Sequence, residues 1–339
     1  MSIFEVDPDI KKARTLSSEF YTDERYFELS KESIFSKAWH FLGHKDEFSG
    51  LRPVTILPGF LDEPVLLVKN DEAVSCLSNV CTHRGKILVG DPCEANLIRC
   101  GYHGRRFSLD GKFLSMPEFE GVENFPCDSD DLKQHASAEK DGFMFASVDP
   151  VDPFDVFVDD AFSSFENFET AGIKLTSKRD YEINAHWALY CENYLEGFHI
   201  PYVHQALNAI VDYGTYATDT FRYSSLQTGC DDAGAVAARY LFIFPNLMLN
   251  YYPWGVSVNV VRPVSPSKTV VEFYTYVRDE SLIDKGAGAN LHGVEMEDEA
   301  VVESVQKGIR SRFYSHGRYS PSREQGTHHF HRLIAEFLG

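Results

Sequence analysis

The chain contains no long unbroken apolar run. Its most apolar stretch, YLFIFPNLMLNYYPW, is interrupted by proline and asparagine and falls short of the ~20 residues that a membrane-spanning helix needs. The opening MSIFEVDPDIKKARTL likewise lacks the charged head and apolar run of a secretion signal. A soluble, cytoplasmic protein with no membrane association is expected. Basic charge is scarce: 32 Lys and Arg stand against 51 Asp and Glu, a formal net charge of −19. That balance disfavours a nucleic-acid partner, because phosphate backbones are bound by Lys and Arg that displace counterions. It mildly favours neutral or cationic small molecules. The cysteines number seven, an odd count, which excludes a fully paired disulfide framework and points to reduced thiols. Tandem repeats and low-complexity segments are missing too.

What is present suffices for one large core or two ordinary ones: 339 residues, 43% of them hydrophobic. From about Phe41 to Val148 short β-branched runs alternate with Gly, Pro, Asp and Asn, the texture of strands and turns. Within it RRFSLDGKFL reads as a hairpin about Asp110-Gly111. The Pro and Asp of DPVDPFDVFVDD suggest a boundary. Beyond it, the patterns from about Arg179 to Leu207 and from Val294 to Phe313 are helical, and the long apolar runs between them read as strands of one antiparallel sheet. DERYFELSKESIFSKAW, before the β region, is helical as well. The expected class is α+β: a helical segment over 1–40 packing on a domain at 151–339, with an all-β domain inserted at 41–150.

Two local motifs carry chemistry. CTHRG and CGYHG each pair a cysteine with a histidine, Cys81 with His83 and Cys100 with His103, on loops at strand ends. Two thiolates and two imidazoles suit a structural zinc. The mixed pairs, one Cys and one His on each loop, point instead to a two-iron cluster with sulfur on one iron and nitrogen on the other. Gly85 and Gly104 are expected to let backbone amides come close. Cys76, Cys93, Cys127, Cys191 and Cys230 have no partner at ligand spacing and read as small hydrophobes.

The second is NAHWALYCENYLEGFHIPYVHQAL. Asn193, Glu196 and His199 recur at intervals of three, along one side of a helix, and Pro201 can kink that helix or start a new one so that His204 converges with His199. Two histidines leave a facial-triad iron one carboxylate short. In VEMEDEAVVESVQKGIRSRF an apolar stripe runs through Val301, Val302, Val305 and Ile309, with Asp298 near its middle. Asp298 is the candidate third ligand, with Glu295 as the alternative; a helix N-terminal acid favoured by the macrodipole is the non-metal explanation.

The motif pair resembles the Rieske [2Fe–2S] pattern, C-x-H-R-G followed by C-x-Y-H-G. The resemblance implies Cys81 and Cys100 on one iron and His83 and His103 on the other. Many relatives carry proline and tryptophan where this chain has Gly101 and Arg105, which implies an altered surface toward an electron donor. Taken with the second segment, nearly the whole chain resembles the Rieske non-haem iron oxygenases, the ring-hydroxylating oxygenase alpha-subunit family. That resemblance implies a helix-grip catalytic domain, His199, His204 and Asp298 on a mononuclear Fe(II), Glu196 as an acidic bridge to a neighbouring subunit's Rieske histidine, and Asn193 as a polar residue near the iron. It also implies a homotrimer in which His103 faces Glu196 and His199 of the next subunit. Electrons would come from NADH or NADPH through a separate reductase, with or without a ferredoxin, to hydroxylate a small organic substrate with O2. CENYLEGFHIPYVHQAL looks most like the branch acting on quaternary ammonium compounds such as choline, for which Tyr240, Phe242, Phe244, Tyr251, Tyr252 and Trp254 offer a cage. An aromatic-ring dioxygenase shares the same ligands, and a Rieske electron carrier would account for the first site only.

Overall fold

A computed structural model describes residues 4–70, 73–163, 172–210, 212–231, 233–283, 285, 288–289 and 291–339. The chain forms two compact units, one from Met1–Ala38 together with Asp152–Gly339, the other from Trp39–Val151. The first unit begins with helices α1 (Ser18–Thr22) and α2 (Glu24–Ser33). Asp23 caps α2 by accepting the Arg25 backbone N–H at 2.9 Å, and Glu24 occupies the first turn, where the helix dipole favours an acid.

The second unit is built of strands: β1 (His40–His44), β2 (Leu51–Ile56), β3 (Glu63–Asn70), β4 (Ala73–Ser78), β5 (Ile98–Arg99), β6 (Arg106–Phe107), β7 (Phe113–Ser115), β8 (Ala136–Lys140) and β9 (Phe143–Ser147). They form three antiparallel sheets, β1-β9-β8, β2-β3-β4 and β5-β6-β7. The hairpin about Asp110-Gly111 joins β6 to β7. Leu51, Leu66, Leu77, Ile98 and Phe107 share a core cluster with Cys81 and Cys100, so packing helps to fix where both thiols sit.

In the first unit the chain resumes with α3 (Phe154–Ser163), β10 (Lys174–Ile183), α4 (Trp187–Tyr194), α5 (Ile200–Val203) and α6 (Gln205–Asn208). Strands β11 (Ala217–Thr220), β12 (Ser224–Cys230), β13 (Val236–Ile243), β14 (Leu247–Tyr252), β15 (Gly255–Ser265) and β16 (Lys268–Val277) precede helices α7 (Leu291–Gly308) and α8 (Gln325–Leu338). One seven-stranded antiparallel sheet runs β10-β16-β15-β14-β13-β12-β11. Its central β14 and β15 are buried almost continuously, which is why they read as apolar runs. Helix α4 lies on β15 and against α7, and α8 contacts β11. No helix among the described residues is long and apolar enough to cross a membrane.

Three expectations need correction. Arg179–Ile183 is strand, not helix: it belongs to edge strand β10, paired with β16 through Arg179↔Phe273 and Tyr181↔Val271. Exposed charges that blunt a sheet edge hid the alternation. Helix α7 stops at Gly308, short of Phe313. Its buried positions are Glu295, Val302 and Gln306, whereas Val305, placed in the apolar stripe, is 45% exposed. Of the other cysteines, Cys76 and Cys191 are buried, but Cys93 and Cys127 are exposed.

The start of α4 is set by polar contacts. His186 caps it, with Nδ1 accepting the Ala188 N–H at 3.3 Å, while its own backbone N–H donates to Gln306 Oε1 at 2.7 Å. The ring is fully buried among Phe20, Tyr21, Phe27 and Trp187, and burial drives its pKa down to about 3. The folded state therefore holds a neutral imidazole that the unfolded chain protonates below its ordinary value of 6.5. This contribution is complete above pH 6.5 and is lost by about 1.4 kcal/mol per pH unit as the pH falls toward 3. Urea midpoints measured from pH 7 to pH 5 should fall more steeply for the wild type than for His186→Asn, which keeps a capping acceptor without the titration. Parallel curves would show that His186 does not govern this window.

Candidate metal centres and the cavity beside them

The two Cys-His loops close on the same backbone frame. The Gly85 N–H donates to Cys81 O at 3.0 Å and the Gly104 N–H to Cys100 O at 3.1 Å. Cys81 N and Cys100 N donate in turn to Lys86 O and Arg105 O at 2.9 and 2.8 Å. Gly85 and Gly104 have φ of +69° and +76°, the left-handed region a Cβ disfavours. An added Cβ would meet nothing nearer than 3.6 Å at either position. The dihedral, rather than close approach, requires glycine here.

Both cysteines are buried, and His83 and His103 are partly exposed with ring centroids 4.9 Å apart. Tyr102 stacks on His103 at 3.7 Å, and His103 Nδ1 is buried without a hydrogen-bond partner. Burial opposes ionisation of Cys100, but the backbone amides of Tyr102 and His103, with Cys81, outweigh it and hold that thiol below its usual range. Burial lowers the His83 pKa, with help from the nearby His103 and Arg84. Two thiols drawn together inside and two imidazoles facing outward, one with an orphaned nitrogen, fit a Rieske cluster.

Arg105 is not part of a donor-facing surface. It is 2% exposed, bonds Asp130 Oδ1 at 2.6 Å, and lies over Phe113, Phe125 and Phe107 at 4.8, 5.5 and 5.6 Å. The Arg105 hydrogen bond holds the Asp130 carboxyl below its usual range. The charge is thus packed like an aromatic residue and neutralised in place.

In the other unit, α4 ends at Tyr194, so Glu196 and His199 do not continue its face. The break lies upstream of Pro201, which sits in the first turn of α5, where a missing N–H costs nothing. Gly197 allows the break: a Cβ there would lie 2.6 Å from the Tyr216 ring. His199 precedes α5, and His204 separates α5 from α6.

The break brings three side chains together. Ligand atoms of His199, His204 and Asp298 all lie within 4.8 Å of one another. His204 Nε2 is 3.0 Å and His199 Nε2 3.6 Å from Asp298 Oδ1, and the two Nε2 atoms are 3.1 Å apart. Each Nδ1 faces a carboxylate, His199 toward Glu196 at 2.8 Å and His204 toward Glu297 at 2.7 Å. Those contacts place the protons on Nδ1 and aim both Nε2 lone pairs at one point, an arrangement a cation between them resolves. Burial pulls the His204 pKa down, yet Asp298 and Glu297 outweigh it and leave it raised. Asn193 Nδ2 donates to Asp298 Oδ1 at 2.6 Å. Two imidazoles and a carboxylate with room beside them fit a non-haem Fe(II). Glu295, the alternative ligand, stands outside this cluster.

The cluster opens on a cavity of about 110 Å³. Tyr190, Tyr194, Tyr216, Tyr240, Tyr252 and Phe273 supply its rings. Of the six aromatics expected to form a cage, only Tyr240 and Tyr252 reach it. Phe242 and Phe244 pack on Phe330 of α8, and Trp254 stacks behind Tyr252 at 5.1 Å. One turn before Asp298, Glu295 receives the Tyr190 hydroxyl at 2.7 Å, and burial pushes its carboxyl up to about 8. Sequence reasoning missed Glu297, Tyr190, Tyr194, Tyr216 and Phe273 as site residues.

Residues 38–126 match the Rieske [2Fe-2S] domain family, and residues 212–339 match the ring hydroxylating alpha subunit (catalytic domain) family. The chain is 31% identical to chloroplastic choline monooxygenase of Arabidopsis thaliana, over 98% of this chain and 85% of that one. It is 30% identical to the carnitine monooxygenase oxygenase subunit of Escherichia coli (strain K12), over 96% and 94%. Among solved structures, the quaternary ammonium Rieske monooxygenase CntA with L-carnitine superposes with a TM-score of 0.82 at 25% identity, covering 99% of this chain and 100% of that one. Naphthalene 1,2-dioxygenase from Rhodococcus sp. shares the fold, with a TM-score of 0.75 at 17% identity over 95% and 93%.

Proposed function

This chain belongs to the Rieske non-haem iron oxygenases, the ring-hydroxylating oxygenase alpha-subunit family, and on that premise we propose that the substrate it hydroxylates is a small quaternary ammonium compound. It is an oxidoreductase, the terminal oxygenase component of a system whose electrons come from a separate reductase. The observation that carries the substrate class is the cavity beside His199, His204 and Asp298, walled by five tyrosines and a phenylalanine. Aromatic faces attract a cation that has no hydrogen to donate. The printed names of the relatives, choline and carnitine monooxygenase, point the same way.

Our reading assigns the [2Fe–2S] cluster to Cys81, Cys100, His83 and His103, and the mononuclear iron to His199, His204 and Asp298. When bound, the two centres supply single-electron transfer and activation of O2. The rest of the work belongs to this chain's side chains. Glu196 and Glu297 hold the Nδ1 protons of His199 and His204, so each ring keeps its orientation. Asn193 steadies Asp298, and the rings line the cavity where the substrate would sit. Glu196 borders that cavity and contacts His199 Nδ1, which suits an acidic bridge to a Rieske histidine of a neighbouring subunit in a homotrimer. A cytoplasmic location fits a supply from NADH or NADPH through the reductase.

The test uses protein loaded with iron, a reductase and NADH. O2 uptake matched by product is expected with choline-type or betaine-type compounds. Coupled turnover confined to aromatic acids would overturn the substrate assignment in favour of a ring dioxygenase.

A further inference from the structure

We propose that Glu295 is the counter-charge that makes this cavity select a cationic headgroup. The inference rests on the quaternary ammonium reading above and assigns its specificity to one residue. Glu295 is 4% exposed and lines the cavity. Tyr190 donates to Oε2, and Oε1 is buried with no hydrogen-bond partner among the described residues. Among the described residues, no lysine or arginine lines the cavity. Burial disfavours the Glu295 carboxylate while the cavity is empty, and a cation arriving beside it favours that form, so the counter-charge is completed by the ligand it recognises.

The chemistry suits a quaternary ammonium group in particular. Such a group donates no hydrogen bond, so a carboxylate recognises it by charge alone and its second oxygen need not be satisfied otherwise. The tyrosine faces give shape and a general preference for cations. Glu295 adds the sign, and it turns any anionic end of the substrate away from this wall. Standing outside the His199, His204 and Asp298 cluster, it acts on the substrate rather than as a metal ligand.

Iron-loaded wild type, Glu295→Gln and Glu295→Met are titrated calorimetrically under anaerobic conditions without reductase. The ligands are choline and glycine betaine, each beside the isostere with carbon in place of nitrogen, 3,3-dimethylbutan-1-ol and 3,3-dimethylbutanoate. Wild type is expected to prefer the cation at least about tenfold, the range of a charge partner at a desolvated site. Both variants should lose that preference through weaker cation binding while the isosteres bind as before and iron content holds. A preference unchanged in the variants would overturn the role of Glu295 alone. Loss of cation and isostere alike in both would make Glu295 a packing residue, again overturning the proposal. No cation preference in wild type would overturn the quaternary ammonium reading and this inference with it.

Discussion

Asp298→Ala should hold about two irons per chain where wild type holds about three, with the Rieske EPR signal of the reduced protein unchanged. Among the described residues, Asp298 is the one carboxylate whose oxygen faces both imidazole Nε2 atoms, at 3.0 and 3.6 Å. Removing it leaves a two-histidine site with no anion to offset the metal's charge. Loss of residues that merely orient ligands costs about 10–100-fold in metal affinity or activity, so turnover should fall by at least about 100-fold. Glu297 and Glu295 do not compensate, because each carboxylate is engaged elsewhere, with His204 Nδ1 and the Tyr190 hydroxyl. Full iron content and activity in Asp298→Ala would move the third ligand to one of them. Iron analysis on anaerobically purified protein decides the matter before any substrate is known.

The second large effect is expected at Glu196. Its carboxylate accepts the backbone N–H groups of Phe198 and His199 and faces His199 Nδ1 at 2.8 Å. Glutamine keeps an acceptor for one of these but removes the charge that holds the Nδ1 proton. Both metals should remain in Glu196→Gln, while steady-state turnover drops by at least about tenfold. In a single-turnover experiment starting from reduced clusters, oxidation of the Rieske centre should slow by the same factor. A purely structural role predicts something else: a lower melting temperature or iron loss, with electron transfer unchanged in the molecules that stay loaded. Wild-type turnover would remove Glu196 from the electron path.

The Rieske ligands were legible because each pair lies within one short loop whose backbone closes on itself, so sequence spacing and spatial spacing nearly coincide. His199 and His204 were legible as polar groups in an apolar segment, and Asp298 as an acid in an apolar stripe. What escaped came from elements brought together by the sheet. Glu297 looked like one more surface acid, because nothing near it in sequence reveals that His204 lies above it. Phe242 and Phe244 follow Tyr240 at strand spacing, but α8 covers that end of the strand. Pattern alone cannot tell where a helix made 80 residues later will lie. Gly197 offered the clearest unused signal: a glycine just after a helix, with Tyr216 pressed against it. It marks the break that lets His199 and His204 meet. The strand β10 was lost for the opposite reason, since an edge strand with charged residues carries little apolar alternation to read.

The way the first unit is closed by both ends of the chain sets the order in which the protein can mature. Thr15 and Gly317 share two hydrogen bonds although 302 residues separate them, and Ser18 bonds Ser315. At about 5–20 residues per second, a ribosome takes roughly 15–60 s to deliver the second partner after the first. Meanwhile Trp39–Val151 emerges whole, with both cysteine loops, and can fold and take up its cluster on its own schedule. Phe20 and Tyr21 find their places around His186 and Trp187 only when the segment that anchors them has been made. For that interval they are exposed greasy surface, and a chaperone that grips the segment carrying them would shorten the list of ways this protein can be lost.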